Sequence, residues 1–76
     1  MADNTQNVLV KGEYITLGQL LKKVNLIATG GEAKTYLQGH SVFVDGVIDA
    51  RRGRKLFPGM SVRVDSSSYV ITADDR

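Results

Sequence analysis

The sequence predicts a small α+β fold, two short helices packed on a mostly antiparallel sheet. Three observations carry this reading. Two helix-start signals with helically spaced apolar residues lie in the first half, the apolar period changes to alternation at Ser41, and turn signals divide the second half into short segments. The chain has 76 residues, enough for one domain over 1–76 with a core at about 8–72. A domain of that size buries only about 60% of the surface its unfolded chain exposes, so the core is thin.

An early strand is expected over 8–14, interrupted by Gly12. Thr16 then precedes Leu17, Leu20, Leu21 and Val24, whose spacing places four apolar side chains on one helical face. Thr16 and Gln19 fit a capping box, and Asn25 tolerates the left-handed conformation that ends a helix, so a helix is expected over 17–24. The box recurs at Thr29 and Glu32, ahead of Ala33, Tyr36 and Leu37 and a terminating Gly39, which gives a second helix over 31–38. Only residues 25–29 join the two, so they form a tight helical hairpin.

Val42, Phe43 and Val44, then Asp45-Gly46, then Val47 and Ile48 read as a hairpin, since Asp-Gly accepts the two positive φ angles of a type I′ turn. Pro58-Gly59 suits a type II turn leading into a strand at 62–64, with Arg63 opposite in direction to Val62 and Val64. Residues 66–68, three serines, read as a turn into a strand at 69–71, and Asp74 and Asp75 as a tail. Phe43 and Tyr36 are expected in the core. Phe57, next to the basic run, could stack a base or be buried, and burial is favoured because Leu56, Phe57 and Met60 read as the apolar anchor of the Pro-Gly turn.

Net charge is only +2, so the placement of the ten Lys and Arg residues matters more than their sum. Arg51, Arg52, Arg54 and Lys55 put four cations in five residues without the apolar period that would bury them, and are expected to face water. Such crowding costs stability through repulsion, a cost offset when phosphates neutralise it and release condensed counterions. Guanidinium also matches phosphate oxygens bidentately. The bland alternative, a solvated loop, weighs as much on charge alone. Lys22, Lys23 and Lys34 extend the candidate surface; each taken singly is more often an ordinary surface lysine. Lys34 follows Gly30 and Gly31, where amides at a helix start favour an anion.

Other chemistries find little support. Cysteine is absent, so no disulfide framework or thiolate metal site is expected. His40 is the single histidine and lies at an element boundary, a surface or capping position; the serines at 66–68 have no evident base, and Asp45 and Asp49 are accounted for by hairpin geometry and charge balance. No enzyme, cofactor or metal is expected. Residues 1–6 do not read as a signal peptide, and no run approaches the roughly 20 apolar residues of a membrane span. A cytoplasmic monomer is the expectation.

The stretches Thr29-Gly-Gly-Glu-Ala-Lys34, Val42-Phe-Val-Asp-Gly46 and Arg51-Arg-Gly-Arg-Lys-Leu-Phe-Pro-Gly59 resemble the S-four RNA-binding domain, named after the fourth small-subunit ribosomal protein. They resemble most its stand-alone bacterial forms, of YaaA or YbcJ type. The match runs from Ile15 to Val64. The resemblance implies an αL-type motif, two short helices and a hairpin presenting a basic face to structured RNA, such as ribosomal RNA or tRNA, or to the ribosome. It implies binding without catalysis. By position, Glu32, Ala33 and Lys34 match the start of the family's second helix, and Arg51, Arg52, Arg54 and Lys55 its basic stretch. With Lys22, Lys23 and Gly31 these make the expected RNA-binding set. Two departures stand out: Gly39 lies one place before the family's usual glycine, at His40, and Met60 replaces an Asp that commonly follows Pro-Gly. A protein-interaction adaptor or a DNA-binding module using the same basic surface are the competing readings.

Overall fold

The computed structural model describes residues 5–65 and 67–74. Strand β1 spans Thr5–Val10, β2 Ile15–Thr16, helix α1 Leu17–Lys23 and helix α2 Ala33–Gly39, the last entered through a 3-10 turn at Gly30–Glu32. Strands β3 (Val42–Val44), β4 (Val47–Ile48), β5 (Lys55–Leu56), β6 (Ser61–Val64) and β7 (Ser67–Ala73) complete the chain. The fold is α+β, with five strands ordered β1-β7-β6-β3-β4 and a separate two-stranded ribbon of β2 and β5.

Strand alternation builds one face of the core. Val8, Val10, Val42, Val44, Val62, Val64, Tyr69 and Ile71 are buried, while Leu9, Phe43 and Arg63 between them face outward. Leu17, Leu20, Leu21, Ala33 and Leu37 join the same buried cluster from the helices, with Leu56 from the ribbon. Each fully buried leucine contributes about 1.5–3 kcal/mol relative to exposure, so three on α1 hold this short helix where its own propensity would not.

The helix signals have their expected partners. Gln19 N–H donates to Thr16 Oγ1 at 3.2 Å and Thr16 N–H to Gln19 Oε1 at 2.9 Å. Asn25 sits at φ +65° and ends α1. At the second helix Glu32 Oε1 accepts from the Ala28 and Thr29 amides, at 2.6 and 3.0 Å. The helix runs through Gly39, with His40 as its C-cap. Asp45 and Gly46 take φ +51° and +85°, the two positive values of a type I′ turn, and Asp45 Oδ1 also accepts from the Ser61 amide at 2.8 Å.

Several expectations are corrected. The first strand stops at Val10, short of the kink at Gly12 (φ +90°). The turn expected at 66–68 falls one residue earlier: Asp65 takes φ +53°, and Ser67 and Ser68 already lie in β7, paired with Val64 and Arg63. Asp accepts the left-handed conformation that a two-residue hairpin needs. Ser66 itself, residues 1–4 and Asp75 of the expected tail lie outside the described residues, whereas Asp74 is tied to β1 by its N–H to the Val10 carbonyl at 3.0 Å. β1 and β7 pair in parallel, from Thr5↔Ser68 to Val10↔Ala73, the one parallel pair in an otherwise antiparallel sheet among the described residues. Phe43 is 38% exposed, because β3 turns its Val42 and Val44 inward. Tyr36 is half-buried, packed on the core edge and stacked on His40 with ring centroids 3.9 Å apart.

Candidate nucleic-acid interface

The basic run is docked, backbone first, on the start of α1. Leu17 N–H donates to the Arg54 carbonyl and Gly18 N–H to the Arg52 carbonyl, both at 2.8 Å. Two amides that a helix start leaves without intrahelical partners are thereby satisfied by the loop. The approach is close enough that a β-carbon on Gly18 would stand 3.3 Å from the Arg52 carbonyl oxygen and 3.6 Å from the Ala33 β-carbon. Three segments distant in sequence meet at this glycine: α1, α2 and the loop.

The loop is not a free row of cations: Arg51, Arg52 and Lys55 are exposed as expected, whereas Arg54 is half-buried, which corrects the expectation for that residue. Asp49, only 11% exposed, accepts from Arg51 Nη2 at 2.9 Å, Arg51 Nε at 3.1 Å and the Arg51 amide at 2.9 Å. Arg54 Nε lies 3.9 Å from the same carboxylate, is buried, and has no hydrogen-bond partner there. The hydrogen-bonded Arg51 guanidinium holds the Asp49 carboxyl at about 2, well below its ordinary range. Asp49 thus draws Arg51 and Arg54 back onto the loop. Arg51 stays exposed while paired, and Arg52 and Lys55 are exposed with no carboxylate against them among the described residues, Lys55 with its Nζ 5.1 Å from the Tyr14 ring centroid.

A groove of about 450 Å³ opens where the three segments meet, lined by Thr16, Gly18, Lys22, Gly30, Arg52 and Gly53 among others. It brings together Lys22 and Arg52, 30 residues apart in sequence. A second depression, about 640 Å³, is lined by Arg51, Gly53, Arg54, Lys55, Phe57 and Met60. Cations therefore line both sides of Gly53.

The remaining members of the expected set fall elsewhere. Lys34 is exposed and directly follows the buried Ala33 that lines the groove. Lys23 lines a separate depression against β1, with Gln6 to Leu9. Gly31 lines a depression of about 750 Å³ between the interhelical loop and His40, which no Lys or Arg lines. The start of the second helix already carries an anion, the Glu32 carboxylate, whose pKa the Ala28 and Thr29 amides lower. A phosphate approaching there meets this carboxylate as well as Lys34.

Sequence reasoning missed Gly18, gave Tyr14 no particular place, and favoured burial for Phe57. Phe57, expected in the core, is 45% exposed and its ring lies 5.5 Å from that of Tyr14. Alternation along β5 explains this, since fully buried Leu56 is its neighbour. His40 Nδ1 pairs with Asp65 Oδ2 at 3.1 Å on the surface. Among the described residues no three His, Cys, Asp or Glu side chains cluster as metal ligands, and no helix is long and apolar enough to cross a membrane.

The comparisons with known proteins bear on the same region. A probable ribosome maturation protein, RlbA of Bacillus subtilis (strain 168), is 45% identical to the chain over 58 residues, covering 76% of this chain and 82% of that protein. Residues 8–72 match the S4 domain family, a span that takes in both helices, the ribbon and the basic loop. The two short helices on a mostly antiparallel sheet fit that assignment, and the chain belongs to the S4 domain family.

Proposed function

We propose that the chain is a non-catalytic module that binds structured RNA, using phosphate contacts from a composite basic face and the shape of the RNA more than base identity. The observation that carries this reading is the groove at Gly18, where Lys22 and Arg52 share a wall built from two helices and the docked loop. Arg52, Lys55, Lys22 and Lys34 supply its mobile charge. Arg51 and Arg54, restrained by Asp49, add fixed guanidinium groups, while Lys23 and Gly31 line other depressions and stand outside this face. The helical hairpin and the loop then act together as an αL-type motif. RlbA's description as a probable ribosome maturation protein supports ribosomal RNA or an assembling ribosomal particle as the target and a cytoplasmic setting. A monomer suffices, since one chain supplies every element of the groove.

Binding of a structured ribosomal RNA fragment, measured against salt, tests the mechanism. Four neutralised phosphates give a log–log slope of about −3 to −4. An affinity independent of salt overturns it. Competition with duplex DNA of equal length and pull-down after nuclease treatment distinguish RNA from DNA and from an acidic protein surface.

A further inference from the structure

We infer that Tyr14, Lys55 and Phe57 form a stacking platform for one unpaired RNA base beside the phosphate-binding loop. This deepens the RNA-binding reading above and rests on it.

The ribbon explains how the three side chains come together. Its register pairs Ile15 with Leu56 and Thr16 with Lys55, so Tyr14 and Phe57 take the next opposed positions where the ladder ends. Ile15 and Leu56 turn inward to the core, and alternation sends Tyr14, Lys55 and Phe57 to the other side. Tyr14 and Lys55 are then diagonal neighbours, which accounts for the ammonium 5.1 Å from the Tyr14 ring. The Tyr14 and Phe57 rings are tilted at 53° with centroids 5.5 Å apart, and both remain exposed.

The Phe57 backbone is held at two points. Its N–H donates to Met60 Sδ at 3.2 Å and its carbonyl accepts from the Met60 amide at 3.0 Å, across a turn in which Gly59 takes φ +97°. An aromatic ring on a fixed backbone, partly open to water, loses little freedom when a flat partner covers it. The depression beside it, about 640 Å³, is lined by Phe57 and Met60 together with Arg51, Arg54 and Lys55. That pairing of an apolar flat surface with cations matches a nucleotide, whose base has a π face and whose phosphate is an anion one sugar away. A base inside a duplex has both faces stacked already, so the platform selects a bulged or looped nucleotide.

Two RNA hairpins of equal length, one fully paired and one with a single-nucleotide bulge, test this with the full chain. The bulged hairpin is expected to bind more tightly. Phe57→Leu keeps the apolar bulk and removes the π face; it is expected to lose about 5- to 100-fold in affinity for the bulged hairpin, to change that for the paired one less than twofold, and to leave the salt slope unaltered. Phe57→Trp retains the affinity, and Phe43→Leu, at another exposed ring, on β3, has no effect. An F57L variant that binds the bulged hairpin like the parent, or weakens both hairpins alike, overturns the platform. Ultraviolet crosslinking of the unsubstituted chain to ribosomal RNA gives a second reading. Nucleotide adducts on the peptides carrying Tyr14 or Phe57 are expected, and adducts confined to other peptides overturn the platform while leaving RNA binding intact. A chain that retains neither hairpin nor ribosomal RNA overturns the RNA-binding reading, and the platform with it.

Discussion

The Gly18 amide donates to the Arg52 carbonyl at 2.8 Å, so the start of α1 and the centre of the basic loop are one structural unit. The bond uses backbone only, which leaves the Arg52 side chain to project away while its own peptide caps the helix. The loop therefore needs no core residue at Arg52 to be held in place. It is held by the helix it serves, and the charges it carries are positioned by the same contact.

Gly18→Val is expected to separate the two. A β-carbon alone already stands 3.3 Å from the Arg52 oxygen and 3.6 Å from the Ala33 β-carbon, so the larger side chain must push on the loop or on α2. Overpacking of this kind costs about 1–3 kcal/mol. Urea unfolding measures it, and an unchanged midpoint would mean that the loop moves aside without loss.

Thr16→Ala removes the other device at this helix start. Thr16 Oγ1 accepts from the Gln19 amide at 3.2 Å, and loss of such a cap costs about 0.5–2 kcal/mol. Because Leu17 and Gly18 keep their bonds to the loop, the loss should fall toward the lower end. Thermal unfolding of the variant beside Gly18→Val ranks the two caps: the loop contact is expected to be worth more than the hydroxyl.

What the sequence revealed and what it concealed divide along physical lines. Local rules were legible: the Thr16–Gln19 box, the left-handed Asn25 and the Asp45-Gly46 turn each depend on residues within a few positions, and each was formed as expected. The partnership of β1 with β7 was not, because a parallel pairing between Thr5–Val10 and Ser67–Ala73 leaves no local signal. The ribbon of β2 and β5 escaped for a related reason, since two residues per strand are too few to show a period. Its consequence was the misplacement of Phe57, whose apolar character suggested burial while its register faced it outward. The basic run was legible as a cluster, yet the part Asp49 plays in restraining Arg51 and Arg54 depends on side-chain geometry that charge counting does not contain.

Asp49 gives the fold a defined acid response. Its carboxyl titrates at about 2 in the folded chain against an ordinary 3.8, so the unfolded state binds more protons between those values. The stability it contributes is fully present above about pH 5 and is lost as pH falls toward 2. With Arg51 71% exposed, solvent screening reduces that contribution to on the order of 1 kcal/mol. Unfolding free energies of the parent and of Asp49→Asn from pH 7 to pH 2 are expected to differ most near neutrality and to converge at the acid end. A constant difference across that range would assign the role of Asp49 to its hydrogen-bonding shape and not to its charge.

The same ion pair ranks the cations for RNA binding. Each phosphate contact removed should lower the magnitude of the salt slope by somewhat under one unit. Arg52 and Lys22 line the groove with no carboxylate against them among the described residues, so Arg52→Ala and Lys22→Ala should each show that full decrement. Arg51→Ala should show less, because the Asp49 carboxylate already neutralises its guanidinium and is set free when the arginine is removed. Lys34→Ala should weaken binding through loss of one exposed cation beside the groove, whereas Lys23→Ala, on the β1 side, should have the smallest effect. Binding isotherms at three or more salt concentrations for the five variants settle the order. A larger loss at Lys23 than at Arg52 would move the RNA to the β1 face and overturn the groove at Gly18 as its seat.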